Sequence, residues 1–271
     1  MKITGVTTWL HRIANETGST RGAALLRMGV ALLIWARFAD DLALYHARPW
    51  PWGALGASIY LSSFTLLIGW RSRLSALWAA GSIAAVVIWL GVIQRHHDYV
   101  HHHITLLLIV TVLLALTPCG HSLSVDRWRA LKRGDAPPEV GPLWGVRLMA
   151  LQASAVWFWG ATNKLHAGWF SGDRLQAIWM HFYFGSDMPE GPAFVWLSQA
   201  GAVLTVALEY ILAVGLWFPR THRVLIPAAL LFHGAAYFTL PVSTFTATMY
   251  LLLLAFIPAQ RLHAGLDRLL R

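Results

Sequence analysis

The chain alternates between long apolar stretches and short polar ones. Apolar segments fall at about 22–42, 54–70, 74–93, 102–118, 143–162, 193–218, 224–240 and 243–258. Stretches of roughly 17–25 apolar residues are long enough to cross a hydrocarbon core as helices. The pattern therefore predicts an all-α integral membrane protein, a polytopic bundle of about eight transmembrane helices.

Two segments depart from this pattern. Residues 168–185 mix aromatic side chains with Asp173, Arg174 and His181, which favours a short interfacial or re-entrant helix. Residues 126–142, "DRWRALKRGDAPPEVGP", have the composition of a loop. We divide the chain into an amphipathic N-terminal segment (1–21), a transmembrane domain (22–258) and a basic tail (259–271).

Composition supports a membrane protein and excludes other classes. Only 12% of the residues are charged, about half the share of a soluble domain. The net charge of +9 has no soluble basic domain to carry it, so we expect anionic lipids as partners and no nucleic acid. The single cysteine, Cys119, excludes an internal disulfide and a cysteine-based metal cage.

The positive charges predict an orientation. Cytoplasmic loops of membrane proteins are rich in Lys and Arg. Eight spans with both termini in the cytoplasm leave few of the 21 Lys and Arg residues on the other side. These are Arg37, Arg48, Arg95, Lys164 and Arg174. The outer ends and loops also carry Asp40, Asp41, the histidines of residues 96–103, Asp98, His166, Asp173, His181 and Asp187. We therefore expect an extracytoplasmic site in a bacterial cytoplasmic membrane.

Three ionisable residues lie at or near membrane depth. Glu209 in "LTVALEYILAVGL" and His233 in "LLFHGAAYF" are well inside their segments, where such groups are costly and often functional. Either residue can also serve only for packing between helices. Lys164 in "WFWGATNKLHAGWFSG" follows three aromatics. Its ammonium either reaches the membrane surface or lies in an apolar pocket, where a neutral amine can act as a base.

A histidine-rich stretch, "QRHHDYVHHH", occupies residues 94–103. His97 and His101 are four residues apart and can share a helical face as metal ligands. The alternative is a solvated interfacial loop. His102 and His103 begin the next apolar helix, so we expect them to point into the bundle.

The order of these motifs resembles the HTTM (horizontally transferred transmembrane) family, which is related to the membrane domain of vitamin K-dependent γ-carboxylases. "NKLHAGWFSG" is similar to the carboxylase pattern K-L-x-x-x-W-x-x-G through Lys164, Leu165, Trp169 and Gly172. Weaker similarities are "RMGVALLIWARFADDL", "HHHITLLLIVTVLLALTPCGHSLSVD", "ALEYILAVGL" and "LFHGAAYFTLPVSTFTATM". Together they run from about residue 20 to 258.

This resemblance implies roles for individual residues. In the carboxylases a lysine deprotonates reduced vitamin K, which reacts with O2 and drives the carboxylation of glutamate by CO2. Lys164 matches that lysine, His103 the catalytically important histidine and His233 the quinone-pocket histidine. The resemblance also suggests cofactor-binding roles, which we assign to His102, Trp169, Gly172 and Glu209.

These expectations lead to three functional hypotheses. The first is an enzyme that uses a lipid quinol to modify an exported peptide or protein, as a carboxylase-like lyase or ligase or as a quinol-linked oxygenase. Asn163 and the "IT" after His103 depart from the carboxylase pattern, and a separate partner would replace the large extracytoplasmic domain of the carboxylases. The second is a non-catalytic partner that binds lipid or quinone. The third is a metal-dependent oxidoreductase that uses residues 96–103. We favour a site without metal.

Overall fold

The structure is a computed structural model that describes Thr8, His11, Tyr183, Gly185 and residues 14–39, 50–180, 191–240 and 242–269. The described residues are mostly helical and include two three-residue strands. They cluster into two compact units, of which the first is Met1–Ala150 with Ala247–Arg271 and the second is Leu151–Thr246. The predicted all-α class is confirmed for the described residues.

The elements follow the apolar segments closely. The helices are α1 (Arg21–Phe38), α2 (Trp52–Ile68), α3 (Ser72–Val86), α4 (His102–Ala115), α5 (Val125–Arg133), α6 (Trp144–Thr162), α7 (Ala167–Phe170), α8 (Asp173–Trp179), α9 (Pro192–Gly215), α10 (His222–Thr239), α11 (Ser243–Leu252) and α12 (Ala259–Leu269). A π-helical segment (Val87–Ile93) continues α3, and 3-10 turns cover His97–Tyr99 and Leu253–Ala255.

Each of the eight predicted segments is helical over most of its length, but fewer helices meet the length and hydropathy of a membrane span. Within the described residues these are Ser72–Ile93, His97–Ala115 and Pro192–Gly215. A fourth span is obtained if Ser243–Ala255 and Ala259–Leu269, which meet at a bend of 103°, count as one. Eight crossings therefore stay a prediction.

In the first unit, α1 to α4 pack in sequence order, and α1 also contacts α4. Small and hydroxyl side chains at these contacts let the helices approach closely and join them by hydrogen bonds. Trp35 Nε1 donates to Ser63 Oγ across α1 and α2 at 2.7 Å. The hydroxyls of Ser58 and Ser82 join α2 to α3, also at 2.7 Å.

The prediction of a loop over residues 126–142 is wrong for much of this segment. Residues 125–133 form α5, whose first turn is capped by Ser124 Oγ, which accepts a hydrogen bond from Arg127 N at 3.0 Å. Farther on, β2 (Val140–Pro142) pairs antiparallel with β1 (Thr17–Ser19). The composition of the segment is polar because α5 is exposed along most of its length, and an exposed helix resembles a loop in composition.

The basic tail also forms a helix. α12 packs against β1 and α1. Arg21 Nη1 lies 2.5 Å from Asp267 Oδ1, and Ser19 Oγ is 2.9 Å from His263 Nδ1. Most of the N-terminal segment, as well as Asp40, Asp41, Arg48, His181 and Asp187, lies outside the described residues.

In the second unit, α6 and α9 run antiparallel. Trp217, just after α9, donates from Nε1 to Ser154 Oγ at 2.9 Å. Toward the other end of the contact, Thr162 Oγ1 and Tyr210 Oη are 3.0 Å apart. The short helices α7 and α8 pack against α9, which also contacts α10. The interfacial or re-entrant segment predicted at 168–185 thus corresponds mainly to α7 and α8.

Candidate functional site

Lys164 and Glu209 form an ion pair in the second unit. Nζ of Lys164 lies 2.8 Å from both Oε1 and Oε2 of Glu209. Its third donor goes to the carbonyl of Gly160 at 3.0 Å. The three ammonium hydrogens therefore have three acceptors, and the charge of each partner is met by the other.

The pair is largely hidden from solvent, and Glu209 lies inside α9, six residues before its last residue, Gly215. The side chain of Lys164 is 23% exposed and that of Glu209 is 8% exposed. Glu209 lies seventeen residues beyond Pro192, the first residue of α9, which is roughly 25 Å along the helix axis. Lys164 thus pairs with a carboxylate at depth, and its ammonium does not extend alone to the surface.

Gly160 allows the carboxylate to come this close to α6. A Cβ atom at this position would lie 3.0 Å from Glu209 Oε1 and 3.6 Å from Lys164 Nζ. The first distance is tighter than ordinary van der Waals contact. A side chain here would therefore push the carboxylate away from the lysine.

The segment after Lys164 is held along α9 by the residues of the lysine motif. Trp169 donates from Nε1 to the carbonyl of Ala202 at 3.0 Å. Lys164 Nζ lies 5.4 Å from the centroid of the Trp169 indole ring, a cation–π distance. Ala202 and Glu209 are seven residues apart, so both lie on one face of α9.

Position 172 requires glycine for two reasons, its backbone conformation and the close approach of α9. Its φ of +84° is in the left-handed region that side chains disfavour. A Cβ atom there would lie 2.9 Å from both Ser198 Cβ and Gln199 N of α9. The K-L-x-x-x-W-x-x-G pattern therefore describes a turn that docks onto α9 and places its lysine beside Glu209.

His233 is buried in an aromatic environment of the same unit. It is 1% exposed, and its Nε2 accepts a hydrogen bond from Trp157 Nε1 at 3.0 Å. Because Nε2 is an acceptor, the imidazole is neutral with its proton on Nδ1. The rings of Phe232 and Phe245 lie 5.2 and 5.7 Å away between centroids.

The other predicted histidines belong to the first unit. As predicted, α4 begins at His102, and His103 is buried at 8% exposure. His102 is exposed, so the prediction that it also points into the bundle is wrong. His101, His102 and His103 have ring nitrogens within 4.8 Å of one another. The helical face proposed for His97 and His101 is wrong, because the 3-10 turn that starts at His97 ends before α4 begins.

Sequence reasoning missed the pairing of Lys164 with Glu209, as well as Gly160 and Trp157. One signal was available. An isolated cation and an isolated anion at membrane depth tend to find each other, since an unpaired charge there is costly. The contributions of Gly160 and Trp157 depend on how α6 faces α9 and α10, which the sequence does not specify.

Together these helices and this buried ion pair define a helical integral membrane protein with an ionisable centre in its apolar interior. The HTTM domain matches residues 51–260, which is most of the chain. The protein therefore belongs to the HTTM family, as its motifs predicted. No curated protein and no solved structure matches the chain.

Proposed function

We propose that the protein is an integral membrane enzyme in which Lys164 and Glu209 transfer protons to and from an apolar cosubstrate. The observation that carries this proposal is the buried ion pair, formed by the lysine of the family motif and a carboxylate on α9. An unpaired charge in an apolar interior is costly, and a carboxylate that meets this charge also gives the lysine a partner for proton transfer.

The pair can supply a base without exposing a net charge. With three acceptors around Nζ, Lys164 rests as an ammonium. Moving one proton from Nζ to an oxygen of Glu209 gives a neutral amine and a neutral acid. An apolar environment disfavours separated charges, so exclusion of water by a bound cosubstrate favours this neutral form. Glu209 then stores the proton while the amine accepts another.

The side chains around the pair suit a reduced quinone. Phe158 on α6 and Tyr210, which follows Glu209 on α9, stack edge to face with centroids 5.6 Å apart, and the Trp169 indole adjoins Nζ. Such rings bind an aromatic ligand by dispersion. A reduced quinone would supply an acidic hydroxyl and reducing power toward O2. The neutral imidazole of His233 would orient the ligand or relay a proton. The family resemblance implies a catalytic role for His103 and a binding role for His102 as well, and both residues belong to the first unit.

The reaction that we favour modifies an exported peptide or protein at an outward-opening site. Carboxylation with CO2 and a quinol-linked oxygenation are both compatible with a lysine base. A separate extracytoplasmic partner would hold the client. In the alternative function the protein binds lipid or quinone at the same residues without catalysis, as a maturation factor.

The test uses Lys164→Arg beside Lys164→Met. Arginine keeps the positive charge for Glu209 but does not lose its proton in proteins, whereas methionine removes both properties. Purified full-length protein in detergent is supplied with a reduced menaquinone under O2, and quinol loss is followed by chromatography. Arg220→Gln, an exposed substitution after α9, is the matched control.

We expect both Lys164 variants to lower quinol consumption by on the order of 10²–10⁴-fold, with Lys164→Arg keeping near-normal thermal stability. Activity in Lys164→Arg equal to the parent protein contradicts the base. Quinone binding by quenching of tryptophan fluorescence, without any turnover in the parent protein, favours the non-catalytic alternative.

A second candidate function rests on the three imidazoles of His101, His102 and His103. Their nitrogens lie within 4.8 Å of one another, and imidazoles bind zinc, copper and iron. A metal-dependent oxidoreductase would contain about one metal ion per chain, lost in His102→Gln. Elemental analysis of the purified protein tests this, and the absence of stoichiometric metal in the parent protein contradicts it.

A further inference from the structure

A cavity lies at one end of the helices of the first unit. It is found where α3 begins and where the segment after α4 leads into α5, and its volume is about 520 Å³. This is within the range of small-molecule sites. Its walls include the basic residues Arg71, Arg73, His121 and Arg127, together with Asp126.

The carboxylate of Asp126 is occupied by the backbone around it. Oδ1 accepts from Arg71 N at 2.7 Å, and Oδ2 accepts from both the N–H and the hydroxyl of Ser72 at 2.8 Å. These bonds cap the start of α3 and hold Arg71 in a left-handed conformation, with φ of 46°. Asp126 therefore shapes the cavity wall and has little capacity left to bind an arginine side chain.

The arginines of the cavity wall differ in how many protein acceptors they already have. Arg127 donates from Nη1 to the carbonyls of His121 and Pro137 at 3.1 and 2.7 Å, and its Nε lies 3.3 Å from Glu139. It thus fixes one wall. Within the part of the chain that the structure describes, neither Arg71 nor Arg73 has a carboxylate within ion-pair distance, and Arg73 makes no side-chain hydrogen bond. The cavity consequently carries excess positive charge.

His121 also contributes a ring nitrogen that lacks a hydrogen-bond partner in the described part of the protein. Its Nδ1 is buried and has no hydrogen-bond partner among the described residues. Burial, together with the charges of Arg73 and Arg127, lowers the pKa of His121. The lowered pKa favours the neutral imidazole, in which one ring nitrogen donates and the other accepts a hydrogen bond.

We propose that this cavity binds a phosphate group, and that the phosphate belongs to the headgroup of an anionic phospholipid. Arginine matches the geometry and charge of phosphate oxygens. The position of the cavity indicates the source. Leu74 lines it and is 59% exposed, and the next turn of α3 exposes Leu77 and Trp78. This apolar face gives the acyl chains a surface that continues from the headgroup site.

The neighbouring helix α5 also has the character of a membrane-surface helix. Trp128 and Leu131 are three residues apart and more than half exposed, while Arg129, Lys132 and Arg133 are exposed beside them. A helix with exposed apolar and basic side chains lies at the lipid interface. The charge distribution assigns this end of the bundle to the cytoplasmic leaflet, where anionic lipids are abundant.

The test measures lipid retention by the full-length protein. Protein is reconstituted in nanodiscs that contain phosphatidylglycerol and phosphatidylcholine, and retained lipids are counted by native mass spectrometry. The double variant Arg71→Asn with Arg73→Gln removes the two arginines that lack carboxylate partners, and asparagine tolerates the left-handed backbone at 71. The matched control, Arg220→Gln with Arg223→Gln, removes two exposed charges that lie outside both α5 and the cavity lining.

We expect the cavity variant to lose phosphatidylglycerol retention by about fivefold per arginine removed, with the control near the parent value. Arg73→Gln alone should give about half of the loss on a logarithmic scale, which keeps the test valid if the double variant folds poorly. Equal losses in the cavity variant and the control overturn the proposal, since general surface charge then explains retention.

A second arm separates the two sources of phosphate. Delipidated protein in detergent is titrated with inorganic phosphate by calorimetry. We expect no saturable binding of inorganic phosphate, because the proposed ligand is held by its acyl chains as well as by its headgroup. Saturable phosphate binding that depends on Arg71 and Arg73, without any preference for phosphatidylglycerol over phosphatidylcholine, overturns the lipid as the source.

Discussion

Removing one partner of the Lys164–Glu209 pair should destabilise the protein strongly. In Glu209→Gln the ammonium keeps Gly160 and an amide oxygen as acceptors but loses its counter-charge. Breaking a buried ion pair costs about 3–5 kcal/mol. Because the Lys164 side chain is 23% exposed, we expect the lower end, about 3 kcal/mol, which corresponds to a fall in Tm of roughly 6–12 °C.

A double-mutant cycle measures the interaction free energy between Lys164 and Glu209. Lys164→Met, Glu209→Gln and the double variant are purified in one detergent, and unfolding is followed by tryptophan fluorescence. The double variant contains neither charge, so it should be less destabilised than the two single variants added together. The exposed Arg220→Gln serves again as the control, and its Tm should stay close to that of the parent protein.

Two results would refute this reasoning. If Glu209→Gln lowers Tm no more than Arg220→Gln, then the carboxylate contributes nothing to stability. If the losses of the two single variants simply add in the double variant, the residues act independently. Neither result would by itself exclude catalysis, which the Lys164→Arg experiment tests separately.

Three further substitutions test other contacts by the same Tm measurement. Gly172→Ala should destabilise by about 2 kcal/mol or more, from left-handed strain and from contact with α9, whereas Gly168→Ala, which meets nothing closer than 3.5 Å, should have little effect. Trp157→Phe removes the donor to His233 Nε2 and should cost about 1–3 kcal/mol; an unchanged Tm contradicts the bond. Asp126→Ala removes the cap of α3 and should cost about 0.5–2 kcal/mol, and no loss means that the cap is dispensable.

The helices were predictable because the membrane imposes a simple rule on the sequence. A stretch that crosses lipid must be apolar and must satisfy its own backbone hydrogen bonds, so its apolar length predicts a helix. The start of α4 at His102 follows from this rule, as does α9 around Glu209. α5 was missed because it lies along an exposed surface, where the rule does not apply. The strand pairing of Thr17 with Pro142 was missed because it joins residues that are distant in the chain.

The sequence by itself determined that the protein is helical, that it belongs in a membrane, and that Lys164 and Glu209 are unusual residues there. It also determined that position 172 is a glycine that follows the lysine at the family spacing. Only the tertiary structure decided that these features form one arrangement. An ammonium at membrane depth needs a partner, but the identity of that partner depends on how α6 and α9 face each other, and packing of distant segments sets that orientation.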